Sequence, residues 1–190
     1  MGIFMAEKVC PVWVGYLLSS PVRRLFQNPK KILGPYVEEG MQVLDIGCAM
    51  GFFSLPLAKM VGSGGKVICV DVQEKMIKSL EKRAQKEKLS SRIDTRICHQ
   101  NSLGIDDLKD EIDFALAFAV IHEVPDIGAL FSQICETIKP AGRLLIAEPG
   151  GHVSEKDFKI TVSVAGQNGF QAVDSPRISR SRVVLLEKKG

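Results

Sequence analysis

Val43-Leu44-Asp45-Ile46-Gly47-Cys48-Ala49-Met50-Gly51 is an apolar run that ends in a turn of small residues, and residues 52–60 after it are compatible with a helix. A buried strand feeding a helix through such a turn is the opening of a doubly wound α/β sheet. Ligands of that architecture sit at the carboxyl ends of the strands, where small residues let the backbone come close. The dinucleotide fingerprint G-x-G-x-x-G, begun at Gly47, needs glycines at positions 49 and 52, and the chain has Ala49 and Phe52 there. The NAD reading therefore fails twice. What remains is D-x-G-x-A-x-G, with Asp45 two residues before the first glycine. A carboxylate at that place suits a ligand carrying an ammonium or sulfonium group and suits a pyrophosphate poorly.

Working outward, short apolar runs alternate with longer amphipathic segments, the pattern of a mostly parallel sheet covered by helices. The runs are residues 42–46, 66–70, 92–98, 112–118 and 143–147. Between them, 73–88 reads as a charged amphipathic helix, and 127–139 places Leu130, Ile134, Cys135 and Ile138 on one face. Ser154 can cap a helix running to Gln167, which Asn168-Gly169 stops. Extended stretches at 170–173 and 181–187 are close enough to pair antiparallel at one edge. Residues 1–28 differ from the rest, with Trp13, Tyr16, Leu17, Leu18, Leu25 and Phe26 among basic Arg23 and Arg24. They read as a helical appendage or lid on a domain spanning 29–190.

The 190 residues suffice for one domain with one core, and 45% hydrophobic and 25% charged residues are ordinary globular usage. The formal charge of +3, from 25 Lys+Arg against 22 Asp+Glu, is too slight to make nucleic acid the expected partner. Cys10, Cys48, Cys69, Cys98 and Cys135 form no C-x-x-C pair, and an odd count cannot close a disulfide framework, so a reducing, cytoplasmic setting is expected. The uncharged stretch 9–22 is shorter than the roughly 20 residues that span a bilayer, and Pro11 and Pro21 break it. As a signal-peptide core it would follow one acidic and one basic residue and carry Pro11, a poor fit.

The motif VLDIGCAMGFFSLPLA resembles the first motif of the class I S-adenosylmethionine-dependent methyltransferases, with Ala49 in place of the usual middle glycine. The resemblance runs from about Val43 to the end of the chain. Twenty residues after Gly51, KVICV ends in Asp71, where the family places the acid that grips both ribose hydroxyls. One helix and one strand return the chain to the same sheet edge, which accounts for the spacing. By the same resemblance Val72 and Met76, in DVQEKM, are apolar contacts to the adenine. ICHQNSL corresponds to the segment that usually supplies an acid to the adenine amino group. Asn101 holds that place, with an amide oxygen that can still accept, and Ser102 beside it offers a backbone donor. DFALAFAVIHEVPD resembles the fourth strand and its loop, with Ala119 where the backbone meets the methionine part, and IKPAGRLLIAEP resembles the fifth strand, with Ala141 for a glycine.

The resemblance implies a Rossmann-like sheet of seven strands in the order 3-2-1-4-5-7-6 with an antiparallel last strand. It also implies transfer of a methyl group from S-adenosylmethionine to a small or modest-sized acceptor, with S-adenosylhomocysteine as product. Asp45, Gly47, Cys48, Ala49 and Gly51 would hold the amino acid end. His122 and Glu123 would face the methyl group as catalytic candidates, with His122 either a general base or a loop-packing residue. Proximity alone can supply much of the rate, because the sulfonium is already activated. The N/D-P-P-Y/F motif of enzymes acting on amino groups of nucleic acids is absent, and FAVIHEVPD is closer to small-molecule enzymes. The alternative is an S-adenosylmethionine-binding, methyltransferase-like module that no longer catalyses and acts through a partner, for which Ala49, Asn101 and Ala141 are the support.

Other features have plainer readings. Phe114, Leu116, Phe118 and Val120 read as core of a central strand, Cys69, Cys98 and Cys135 as core thiols, and Cys48 as a small turn residue rather than a reactive thiol. Glu148 and His152 close the fifth strand beside His122 and Glu123, but no compact spacing such as H-E-x-x-H exists, and no metal is expected. The stretch 9–31 admits three roles: a lid over the ligand, a helix packed on the sheet, or a membrane-surface contact through Arg23, Arg24, Lys30 and Lys31.

Overall fold

The computed structural model describes residues 27–99 and 102–190. In chain order the elements are α1 (Pro29–Leu33), β1 (Gln42–Ile46), α2 (Ser54–Met60), β2 (Lys66–Asp71), α3 (Glu74–Lys86), β3 (Ile93–Ile97), β4 (Ile112–Phe118), α4 (Ile127–Thr137), β5 (Ile138–Pro149), α5 (Glu155–Gln167), β6 (Phe170–Asp174) and β7 (Ser181–Lys188). The strands form one sheet in the order β3-β2-β1-β4-β5-β7-β6. β1 to β5 pair in parallel, whereas β7 runs antiparallel to both β5 and β6.

Alternation along each strand sends side chains to two buried faces, which is why the central runs read as continuously apolar. Val43, Phe114, Leu116, Leu145 and Leu185 meet Leu33, Leu55, Leu57, Ile77 and Leu80 from α1 to α3 on one face. Leu44, Ile68, Ala115, Ile146 and Leu186 meet Leu130, Phe131, Ile134 and Ala165 from α4 and α5 on the other. The helix starts follow local chemistry. Asn28 Oδ1 accepts the Lys30 and Lys31 N–H groups at α1, Asp126 Oδ1 accepts from Ala129 N at α4, and Ser154 Oγ accepts from Asp157 N at α5.

The sheet is clasped at the edge opposite the glycine turn. Asp113, at the start of β4, accepts from Gln42 N of β1 at 2.8 Å and from Lys139 Nζ of β5 at 2.6 Å. Lys188, at the end of β7, donates to Asp110 Oδ1 and to the Ile138 carbonyl, each at 2.7 Å.

Three local expectations change. β5 begins at Ile138 rather than at 143: the chain passes Pro140 and the left-handed Ala141 through a register shift, so residues that read as strand breakers lie in an irregular strand start. Ile138 thus belongs to β5, and Cys135 is only half-buried on α4. Among its described residues, the link from β3 to β4 carries a single 3-10 turn, Asp106–Leu108, and no covering α-helix. Of the stretch read as lid, packed helix or membrane contact, residues 1–26 lie outside the described residues. Its described end is α1, which buries Leu33 in the core and leaves Lys30 and Lys31 exposed.

Candidate active site

The turn after β1 is held open by backbone conformation. Gly47, Ala49 and Gly51 have φ of +69°, +46° and +83°, and the N–H groups of Gly47 and Cys48 both donate to the Val70 carbonyl, at 2.9 and 3.1 Å. A Cβ on Gly47 would come within 2.7 Å of Val120 Cγ2, so this glycine lets the segment after β4 close against the turn. A Cβ on Gly51 would collide with Leu80 Cδ1 of α3, and Arg83 Nη1 of the same helix donates to the Met50 carbonyl. Gly51→Ala therefore meets both a strained φ and a packed side chain. It is expected to lower stability by roughly 1–3 kcal/mol, read as an earlier urea midpoint at unchanged slope.

Two acids flank the turn. Asp45 is 3% exposed, and its Oδ2 accepts from Ser54 Oγ, the first residue of α2, at 2.5 Å. Burial pushes its carboxyl up to about 7, with nearby Asp71 adding to the rise and the Ser54 bond opposing it. Asp71, at the end of β2, accepts from Ala49 N through Oδ2 at 2.9 Å and from Gln73 N through Oδ1 at 2.8 Å. Burial raises its carboxyl as well, against the pull of those two bonds. The Ala49–Asp71 bond is the physical link between the two motifs twenty residues apart.

Val72 beside Asp71 is exposed, whereas Met76 is buried on the inner side of α3. Cys98 N donates to the Asp71 carbonyl, which sets the end of β3 beside the acid. Asn101 lies outside the described residues. Ser102 closes a turn with His99 through paired backbone bonds of 2.9 and 3.2 Å, so its N–H is already engaged by the His99 carbonyl. The Cys48 side chain is buried, and its thiol donates to the Ala49 carbonyl at 3.8 Å; neighbouring Cys69 and burial push the thiol well above its ordinary range.

Beyond β4, Ala119 is left-handed at φ +58°, and its N–H reaches the Ala147 carbonyl of β5 at 2.7 Å. The chain then coils through a 3-10 turn, Ile121–Glu123. Beneath it lies Glu148 of β5, 1% exposed. Its Oε1 accepts from Val120 N and Ile121 N at 3.0 Å each, and its Oε2 accepts from His122 N at 3.4 Å and bonds His122 Nδ1. The Glu148 bond holds the His122 imidazole above its ordinary range, with Glu123 adding to the rise and partial burial opposing it. Glu123 itself is exposed.

The structure thus joins Asp45, Gly47, Ala49, Gly51 and Asp71 in one cradle, and Val120 against Gly47 carries the Ala119–Glu123 segment to its rim. Two residues escape a reading of the sequence as site members. Ser54 is visible only as a polar residue at a helix start, and Glu148 only as a strand-end acid beside His122 with no metal-ligand spacing, not as the bonded partner of that histidine.

Comparison with known proteins agrees with this geometry. The family model described as "Methyltransferase domain" matches residues 37–182. The Ubiquinone biosynthesis O-methyltransferase of Bradyrhizobium diazoefficiens is 28% identical over 143 residues, covering 74% of this chain and 51% of that protein. The Demethylmenaquinone methyltransferase of Staphylococcus aureus is 27% identical over 112 residues, covering 59% of this chain and 44% of that protein. The chain thus spans about half the length of the curated relatives it matches. The crystal structure of a SAM-dependent methyltransferase from Aquifex aeolicus superposes with a TM-score of 0.83 at 21% identity, over 94% of this chain and 98% of that one. A family match over most of the chain, on a sheet whose strand order and glycine turn suit it, places the protein: it belongs to the methyltransferase domain family, of the class I, S-adenosylmethionine-dependent type.

Proposed function

We propose that the chain transfers the methyl group of S-adenosylmethionine to a small-molecule acceptor and releases S-adenosylhomocysteine. The observation that carries this reading is the cradle in which the turn after β1 meets the acid after β2 through the 2.9 Å Ala49–Asp71 bond. Each oxygen of Asp71 has one bond to a backbone N–H and keeps a second lone pair, so two ribose hydroxyls find acceptors without displacing either. Asp45, with the backbone of Gly47, Cys48, Ala49 and Gly51, receives the amino acid end. Val72, Met76 and Ser102 are assigned to the adenine and Ala119 to the methionine chain; Asn101, outside the described residues, is assigned with the adenine group from the sequence alone. His122 and Glu123 stand at the methyl end. The methyl donor supplies a carbon already activated on a sulfonium, so the protein's part is to orient it and exclude water.

The names of the relatives, from ubiquinone biosynthesis and demethylmenaquinone methylation, support a small-molecule acceptor. Among the described residues no helix is long and apolar enough to cross a membrane. The free thiols of Cys48, Cys69, Cys98 and Cys135 support a reducing setting, which we read as the cytoplasm. The test is calorimetry with S-adenosylmethionine, S-adenosylhomocysteine and NAD. Both nucleosides are expected to bind and NAD to give no heat. Silence from both nucleosides would remove the cofactor assignment and leave the fold alone.

A further inference from the structure

Glu148 is the most deeply buried acid at the carboxyl edge of the sheet among the described residues, and four nitrogens converge on it. Three are successive backbone N–H groups of the segment after β4, which would suffice to fix that segment to β5. The fourth is a side chain, and it selects a protonation state. A carboxylate on Nδ1 requires the proton there, so the neutral ring keeps its lone pair on Nε2. Among the described residues none bonds Nε2, and the His122 side chain is 30% exposed. One nitrogen is therefore tied into the protein interior while the other meets no described residue and is part-exposed.

We propose that Glu148 is a positioning residue that fixes His122 with its proton on Nδ1, so that Nε2 takes the proton of an ionisable hydroxyl on the acceptor, a phenol or an enol. This rests on the methyl-transfer reading above. The chemistry selects the acceptor class. A neutral amine attacks through a lone pair it already has, and a thiol ionises readily near neutrality, whereas a phenol near its ordinary pKa of about 10 gains most from a base in place as its oxygen attacks. In the step, the acceptor oxygen bonds to the methyl carbon while the carbon–sulfur bond breaks and its electron pair stays on sulfur. The hydroxyl proton passes to Nε2, and the resulting imidazolium is held by Glu148 until it loses that proton to water. Among the described residues two acids face the ring, Glu148 from β5 and Glu123 from the 3-10 turn itself, and both favour the charged form.

The test begins without an acceptor. In Glu148→Gln the amide oxygen still accepts from the Val120 and Ile121 N–H groups, while its NH₂ takes the place of Oε2, giving up the long His122 N–H bond and forcing Nδ1 to accept. Nitrogen-15 NMR of the imidazole in the S-adenosylhomocysteine complex is expected to show the Nδ1–H tautomer in the wild type. In the variant the Nε2–H tautomer is expected, with His122 titrating at a lower pH than in the wild type. A wild-type proton on Nε2, or a titration that the substitution leaves in place, overturns the positioning role. The second arm follows S-adenosylhomocysteine release with catechol, with thiophenol and with aniline as probes. Catechol turnover is expected to lead and to fall about 10²–10⁴-fold in Glu148→Gln and in His122→Ala at unchanged nucleoside affinity. Preference for aniline or thiophenol, no turnover of catechol, or full catechol turnover in His122→Ala overturns the hydroxyl assignment. Should Glu148→Gln fail to fold, the wild-type tautomer and His122→Ala decide the question. Loss of nucleoside binding in the wild type would strike the methyl-transfer reading itself, and the tautomer result would stand apart from it.

Discussion

Asp71→Ala is expected to weaken S-adenosylhomocysteine binding roughly 10²–10³-fold. Two charge-assisted hydrogen bonds at about 1.5–2 kcal/mol each give about 3–4 kcal/mol, and each 1.4 kcal/mol is tenfold. The loss has a second source, because Asp71 Oδ2 also accepts from Ala49 N, so the turn loses the bond that aligns it with β2. Asp71→Asn is no milder substitute. Both carboxylate oxygens face backbone N–H groups, at 2.9 and 2.8 Å, and an amide in either orientation would set its NH₂ against one of them. Calorimetry on each variant, with a urea midpoint beside it, separates a damaged ligand site from a damaged fold. Wild-type affinity in Asp71→Ala would take this residue out of the site.

The second large effect concerns pH and Asp45. Its carboxyl is pushed up to about 7 by burial, so in the unliganded protein it is mostly protonated at pH 6 and mostly ionised at pH 8. Binding an ammonium group there needs the ionised form. Nucleoside affinity is therefore expected to be level just above pH 7 and to fall about tenfold for each unit below it, and Asp45→Asn is expected to flatten that dependence at a lower affinity. Stability runs the other way. The folded protein holds the Asp45 proton more tightly than the unfolded chain does, so this residue's contribution is fully present below the ordinary carboxylate range, near pH 4, and is lost as pH rises through about 7. Ligand binding offsets part of that loss. Affinity that is independent of pH between 5.5 and 7.5 would show that Asp45 takes no part in holding the ligand.

How much of this was legible in the sequence depends on how far each contact reaches. The sheet announced itself because each central strand is buried on both faces and so reads as an apolar run, and because the small-residue turn can only follow such a strand. The 42–46 and 112–118 runs coincide with β1 and β4, and the terminal extended stretches do pair antiparallel. The start of β5 was hidden by Pro140 and Gly142, whose local signals oppose a strand that only its neighbours sustain. Asp45 and Asp71 were readable because their partners sit in or near the same motifs. Glu148 could be set beside His122 at the strand edge, but not read as its bonded partner, because the donors it meets lie 26 to 28 residues away and nothing in Ala147-Glu148-Pro149 distinguishes a buried acid from a strand-end one. The alanine departures are clarified too. Ala49 and Ala141 both adopt the left-handed conformation a glycine would take, at φ +46° and +61°, so the backbone shape is kept at a local cost of about 1 kcal/mol or more each. They offer little to the reading of a module that has lost catalysis.

The Asp113 clasp carries a consequence for how such a protein can change over generations. It fastens β1, β4 and β5 from the amino ends of their strands, about the length of a strand away from the cradle, while every residue assigned to ligand or acceptor lies at the other ends. Mutations that reshape the loops after β4 and β5 therefore draw on a reserve of stability they do not touch. Acceptor preference is free to drift or be selected anew while the register of the sheet is inherited intact, a separation that favours the recruitment of one ancestral scaffold to many substrates.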